Sequence, residues 1–288
     1  MRKAGNKKVN IKKKISTVIY HSFTIILGTV MIYPILWMIF SSFKENADVF
    51  KTATSLLPKR WNFASYAVGW KGFGGISFGT FFKNSFVFAI LSTIGMTFSS
   101  AFIAFGFSRV RFRGKGFWFV CMILTMLLPA QVLQIPQYVL FQKLHWIDTY
   151  LPLIVPSFFG SGFNIFLIMQ FMRGIPKDFD ESASIDGCSR FMTFRKIILP
   201  LVTPALITVA IFMFYGSWDN FMGPLLYINT PRKYPVSLAL KMFSDPDAVS
   251  DWSAMFAMAT LSLVPVFVLF FSMQKYLVDG VTVGGIKG

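Results

Sequence analysis

The stretch DFDESASIDGCSRFMTFRKIILP, residues 178–200, holds four of the chain's twelve carboxylates, Asp178, Asp180, Glu181 and Asp186, ahead of a basic and apolar end. Clustered carboxylates do acid–base or metal chemistry when histidines, cysteines or a second carboxyl set complete the group. Here the two histidines, His21 and His145, are remote in sequence, and the two cysteines are Cys121 and Cys188. No HExxH, GxSxG or paired-carboxylate arrangement occurs. What is left for these acids is helix capping and contact with a partner. Asp178 with Glu181 three residues later has the form of a capping box opening a short helix after Pro176. Gly187 suits the turn that ends it. Ser189 then starts a second short helix, with Phe194, Ile197 and Ile198 as its apolar side. Ala183 and Gly187 lie one turn apart and share a face with Phe179, which would let a partner approach the backbone closely. An ordinary connector needs such caps too, but it does not need the 28 residues of interval 173–200. A docking surface is the favoured reading.

Polar groups inside apolar runs are the other chemical candidates, because they are costly there. LLPAQVLQIPQYVLF carries Gln131, Gln134 and Gln137 within about a 120° arc of one helix face. Pro129 and Pro136 should bend that helix. The amides either wall a hydrated pathway or hydrogen-bond between helices, and the residues weigh the two equally. In FYGSWDNFMGPLLY, Tyr215, Trp218, Asp219, Asn220 and Phe221 stand together. Asp219 lies roughly 28 Å along the helix from Pro200, near a membrane boundary. An aromatic belt explains the group without special chemistry, and a ligand or gate site is the sharper alternative. Glycine-rich GFGGIS (72–77) lacks the lysine and the strand-to-helix setting of a phosphate loop. No cofactor site is expected in this chain, and any ATPase must be another one.

The elements that carry these residues are dictated by composition. Of 288 residues 55% are hydrophobic and only 14% charged, against about 25% charged in soluble domains. The net charge of +16 would suit a nucleic-acid binder, but apolar runs of some twenty residues exclude that class. Basic loops flanking membrane spans explain the charge. Two cysteines exclude a disulfide framework and a thiolate metal cluster. Six segments are long and apolar enough to span: 16–43, 84–107, 117–140, 151–172, 201–226 and 254–274. The first is too long for a signal peptide and lacks a cleavage site, so it reads as an uncleaved span. With the N-terminus inside, 1–17, 107–116, 173–200 and 275–288 carry 18 basic residues against 10 in the opposite loops. Both termini and interval 173–200 are therefore expected in the cytoplasm. The expectation is an all-α polytopic protein with a single transmembrane domain over 1–288. A basic tail (1–15), an outer loop (44–83), the cytoplasmic loop (173–200) and a C-terminal tail (275–288) complete it.

The same interval resembles the EAA motif of bacterial ABC importer permeases, roughly EAAxxDGA followed by a hydrophobic residue and LP. Glu181, Ala183, Asp186, Gly187, Phe194, Leu199 and Pro200 match, with Ser182 and Cys188 in place of two alanines. LLPAQVLQIPQYVL, the run from Trp218 to Leu225 and the ending DGVTVGGIKG resemble carbohydrate importers of the maltose-permease type, the six-span partner of the pair. Family members often read W-N-acid-F where this chain has Trp218-Asp219-Asn220-Phe221. The resemblance implies the type I ABC importer permease fold in a bacterial cytoplasmic membrane. It further implies a heterodimer with a second permease subunit, two ATPase subunits carrying ATP and magnesium, an extracytoplasmic solute-binding protein and a sugar substrate, an oligosaccharide favoured. Interval 173–200 would be the coupling helix, with Glu181 offering charge to the ATPase. Tail residues 280–288 would reach toward the ATPase, and loop 56–66 would meet the binding protein. The competing class is an ATPase-independent secondary transporter or channel. It needs an ion relay, for which the chain offers only Asp219 and amides, and it leaves the long cytoplasmic interval unexplained.

Overall fold

A computed structural model describes the backbone of residues 2–243 and 251–285 and the side chains of 14–243 and 251–276. Nearly all of basic tail 1–15, and the C-terminal tail beyond residue 276, lie outside the described side chains. The chain divides into two compact units, Met1–Trp70 with Phe243–Leu261, and Lys71–Met242 with Ser262–Gly288.

The first unit contains α1 (Arg2–Ser41), α2 (Asp48–Lys51) and α3 (Ala64–Lys71) as far as Trp70, and the last helix, named below, up to Leu261. The apolar length of α1 from Lys14 has none of its most hydropathic window buried against the rest of the chain. Its far end is anchored instead. Trp37 meets the Phe256 ring edge-on at 5.4 Å and donates its Nε1–H to Ala53 O at 2.9 Å. Beyond the helix, Phe43 packs on Trp61, Phe63 and Tyr66. Lys44 is 2% exposed, and its ammonium donates to Thr52 O and Ser55 O. Gly69 is required by contact, because a Cβ there would lie 2.9 Å from Met258.

The second unit is built on α4 (Phe78–Arg109), which begins six residues before the expected span start at 84. Ser77 caps it through Gly79 N. Then come α5 (Lys115–Leu127), α6 (Ala130–Lys143), α7 (Leu151–Ile154), a 3₁₀ turn (Val155–Phe159) and α8 (Gly162–Gly174). The expected third span is two helices, α5 and α6, bent by 101°. The break is where sequence places it: Leu128 is extended because Pro129 follows, and Pro129 has no N–H to continue α5. The fourth span is interrupted at Gly160, whose φ of +76° suits glycine. There Gly95 of α4 leaves room for Phe158, whose ring would be 2.7 Å from any Cβ. Ser99 Oγ also donates to Ser157 O at 3.1 Å.

After these come α9 (Asp178–Ile185), α10 (Arg190–Thr193), a π turn (Phe194–Ile198), α11 (Leu199–Leu201), α12 (Thr203–Trp218), α13 (Met222–Tyr227), α14 (Val236–Met242) and α15 (Trp252–Gly285). The fifth span was expected as one run over 201–226, but the helix ends at Trp218 and bends 77° between α11 and α12. Pro204 cannot donate to Pro200 O, and the Thr203 hydroxyl takes that carbonyl at 2.8 Å instead. Among the described residues four helical stretches are long and apolar enough to cross a membrane, or up to six when each bent pair counts as one span. The core of this unit joins α4, α8 and α12 through Ala101, Ala104, Ile168, Met169, Met172, Ala205 and Val209.

Candidate functional site

Interval 173–200 folds as two short helices around one glycine. Ile175 is extended ahead of Pro176, which ends α8. The expected capping box does not form, since Lys177 holds the cap position in helical geometry with no side-chain bond. Asp178, Asp180 and Glu181 occupy the first turn of α9, where the positive end of the helix dipole favours acids. Asp180 is drawn away by a partner far along the chain. Arg109, the last residue of α4, donates from Nη1 to Asp180 Oδ2 at 2.7 Å, and from Nη2 to Met172 O at 2.6 Å and Ile175 O at 2.7 Å. Its side chain is 6% exposed. One guanidinium thus ties the end of α4 to the last carbonyls of α8 and to α9. In the sequence Arg109 counts only among the basic residues of interval 107–116. Its one distinguishing signal was an ionisable side chain inside the final turn of an apolar helix.

Gly187 ends α9 at φ +74°, with Gly187 N–H bonded to Ser184 O and Cys188 N–H to Ala183 O. This is the paired bonding of a Schellman motif. Ser189 Oγ then accepts from Met192 N–H and caps α10, as expected. On the face expected for a partner, Ala183 is buried in its own chain while Phe179 is 47% exposed and Gly187 is exposed. The opposite side is open as well, where Glu181 and Ile185 stand one turn apart with Asp186 exposed beyond them. Ile185 is 86% exposed. Phe194 and Ile198 are buried in the core, Phe194 against the rings of Phe102 and Phe105. Leu199 is half-buried and Pro200 exposed.

The structure splits the aromatic group at the end of α12. Trp218 turns inward, stacked on Phe214 at 5.7 Å, with its Nε1–H donated to Ser262 O. Asn220 Oδ1 accepts Gly223 N–H at the start of α13, and half-buried Phe221 lies beneath the Lys241 ammonium. Tyr215 and Asp219 remain exposed one turn apart, and Asp219 makes no side-chain hydrogen bond or ion pair among the described residues. Gln131 and Gln137 are exposed and Gln134 half-buried on α6, and none of the three amides bonds elsewhere in the described chain.

A second ion pair, unread in the sequence, holds the opposite end of this unit. Asp148 adopts φ +61°, and its carboxylate accepts from Asn229 N, Thr230 N, Thr230 Oγ1 and Lys233 Nζ. The Lys233 ammonium, then the Thr230 hydroxyl, hold this carboxyl well below the usual carboxylate range. Tyr150 donates its hydroxyl to Lys233 O, and burial with the Asp148 charge pushes it up to about 12. Asn84, near the start of α4, donates to Arg232 O and Tyr234 O of the same segment.

The sequence pattern of the family described as "Binding-protein-dependent transport system inner membrane component" matches residues 75–283. The chain belongs to this family. It is 36% identical over 257 residues to the "Probable ABC transporter permease protein YurM" of Bacillus subtilis (strain 168), covering 89% of this chain and 84% of that protein. It is 31% identical over 268 residues to the "Arabinooligosaccharides transport system permease protein AraQ" of the same organism, covering 92% and 94%. A solved structure titled "Crystal structure of a bacterial ABC transporter involved in the import of the acidic polysaccharide alginate" superposes with a TM-score of 0.80 at 22% identity. It covers 92% of this chain and 97% of that one, and establishes a common fold.

This inner membrane component is therefore a multi-pass protein of the bacterial cytoplasmic membrane, with the ABC importer permease fold expected from its motif. Like its family, the inner membrane component is a non-catalytic transport subunit that works with other transporter components. Among its described residues no three His, Cys, Asp or Glu side chains are grouped to hold a metal.

Proposed function

We propose that this chain forms half of the translocation pathway of an ATP-driven, binding-protein-dependent carbohydrate importer and meets the ATPase through interval 173–200. The observation that carries the reading is the build of that interval. Its Glu181–Ile185 side is open, while Arg109 ties the same helix to the end of a span. Force applied to the open side has two routes to α4, the Arg109 bonds and the packing of Phe194 on Phe102 and Phe105. Interval 173–200 then faces the cytoplasm with both termini, in line with the bias of 18 basic residues against 10. The name of AraQ supports an oligosaccharide as the substrate class.

On this reading the complex holds a second permease subunit, two ATPase subunits that bind ATP and magnesium, and an extracytoplasmic solute-binding protein. This chain carries no cofactor of its own. Gln131, Gln134 and Gln137, with the exposed pair Tyr215 and Asp219, are its candidates for contact with the sugar. Their hydrogen-bonding groups have no partner within the described chain. Trp218, Asn220 and Phe221, the other candidates of that run, are engaged within the chain.

Purification of the full chain in mild detergent should bring down a second permease and an ATPase. In liposomes the complex with its binding protein should accumulate sugar only with ATP. Glu181→Lys and Gly187→Trp should insert normally and lose both uptake and stimulated ATP hydrolysis. Sugar accumulation by the chain alone, or normal coupling in both variants, would overturn the proposal.

A further inference from the structure

A cavity of about 640 Å³ opens beside the docking helix, within the second unit. Phe105 and Val110 line its apolar part. Its charged wall is Arg109, Arg111, Lys115, Lys177 and Arg190, against Asp180 and Glu181. The volume lies in the range of small-ligand sites, about 300–1,000 Å³. Arg109 and Asp180 neutralise each other. Of the other cations, Lys115 donates to Val110 O, while Arg111, Lys177 and Arg190 make no hydrogen bond or ion pair among the described residues. Four positive groups therefore converge on a partly sheltered space with one carboxylate, Glu181, to balance them. Like charges gathered this way repel until an anion joins them.

The chemistry of the wall selects the class of anion. Two unpaired arginine forks and two ammonium groups suit an oxyanion, and guanidinium forks take phosphate as readily as carboxylate. Its depth selects the source. Arg109 is the last residue of apolar α4 and Lys115 the first of apolar α5, so the cavity stands where the spans leave the hydrocarbon. Phosphate headgroups occupy that level, and basic pockets between spans on the cytoplasmic side take anionic lipids.

We propose that this cavity binds a phosphate-bearing anion, supplied by the headgroup of an anionic phospholipid, against Arg111, Lys115, Lys177 and Arg190. Lys177 is the residue from which α9 starts, so the bound headgroup forms part of the seat of the docking helix. The inference rests on the coupling reading only for that consequence and for the leaflet that supplies the lipid.

Cys188 lines the cavity and reports its occupancy. With Cys121→Ser it is the sole thiol, since the chain has two cysteines. The full chain is placed in nanodiscs of phosphatidylcholine alone or mixed with phosphatidylglycerol, and alkylation of Cys188 by a neutral maleimide is timed. Both faces of a nanodisc carry the same lipids and no transport is measured, so the result does not depend on orientation or on coupling. Phosphatidylglycerol should slow alkylation several-fold, and the ratio should return to one in Arg111→Gln/Lys177→Gln/Arg190→Gln. Inorganic phosphate added to phosphatidylcholine discs tests the free source, and protection there alone supports the site with a soluble anion as its ligand. No protection in either arm, protection that persists in the triple variant, or protection only on adding the ATPase overturns the proposal. If the triple variant does not insert, wild type is titrated with salt, and protection that survives molar salt overturns it equally.

Discussion

Arg109 is nearly dry, and its charge is tolerable because Asp180 and two backbone carbonyls meet it. Asp180→Ala leaves that guanidinium buried without its counter-charge. The expected loss is about 3 kcal/mol, the low end for a broken buried pair, since Asp180 keeps 27% of its side chain exposed. Unfolding in denaturing detergent measures it, and Arg109→Met combined with Asp180→Ala should recover part of the loss. The Asp148 carboxylate behaves differently because its partner Lys233 is 42% exposed where Arg109 is 6%. Its folded pKa is depressed, so its stabilisation is complete at neutral pH and is lost as pH falls below about 4, the unfolded value. Melting temperature against pH should therefore fall in acid, and Asp148→Asn should flatten that part of the curve. Tyr150, raised to about 12, adds stability that is lost as pH rises from about 10 through that value. Neither ion pair was legible from sequence. Each joins residues more than seventy positions apart, and no local spacing encodes such a meeting.

The helices around Gly187 show what local sequence does encode. The αL turn, the Ser189 cap and the break at Pro129 are rules of one or two residues, and each stands where its residue stands. The capping box failed for a tertiary reason, because Arg109 draws Asp180 into the bundle and Lys177 takes the cap position. Ala183 met a related limit. Its small size admits a close approach, and its own chain makes it, while Phe179 on the same side stays 47% exposed. Two substitutions separate the faces. Phe194→Ala empties a buried site between Phe102 and Phe105 and should cost about 3–5 kcal/mol by the same unfolding assay. Ile185→Glu alters an exposed side chain and should leave unfolding within about 0.5 kcal/mol of wild type while abolishing ATPase co-purification.

At the scale of the molecule, composition and apolar run length located the apolar segments, which form four spans or up to six when each bent pair counts as one, because a bilayer fixes how many apolar residues a crossing needs. They did not give the bends, since α5–α6 and α11–α12 keep the apolar length of one span while changing direction. Side-specific labelling tests the proposed orientation. In a chain lacking its native cysteines, Ile185→Cys should react with an impermeant maleimide only in inside-out vesicles, and Leu57→Cys only in right-side-out ones. Identical sidedness for both would reject the six-crossing arrangement.

The three bonds of Arg109 have a mechanical consequence. A guanidinium is planar and rigid, and at 2.6–2.7 Å all three contacts are already near their shortest length. Pulling α9 away stretches all three toward the limit of about 3.2 Å, so a larger displacement either carries the end of α4 with it or gives up hydrogen bonds. On the proposed coupling, a stroke delivered to α9 would be passed to the 32-residue α4 at this joint, as at the short arm of a lever.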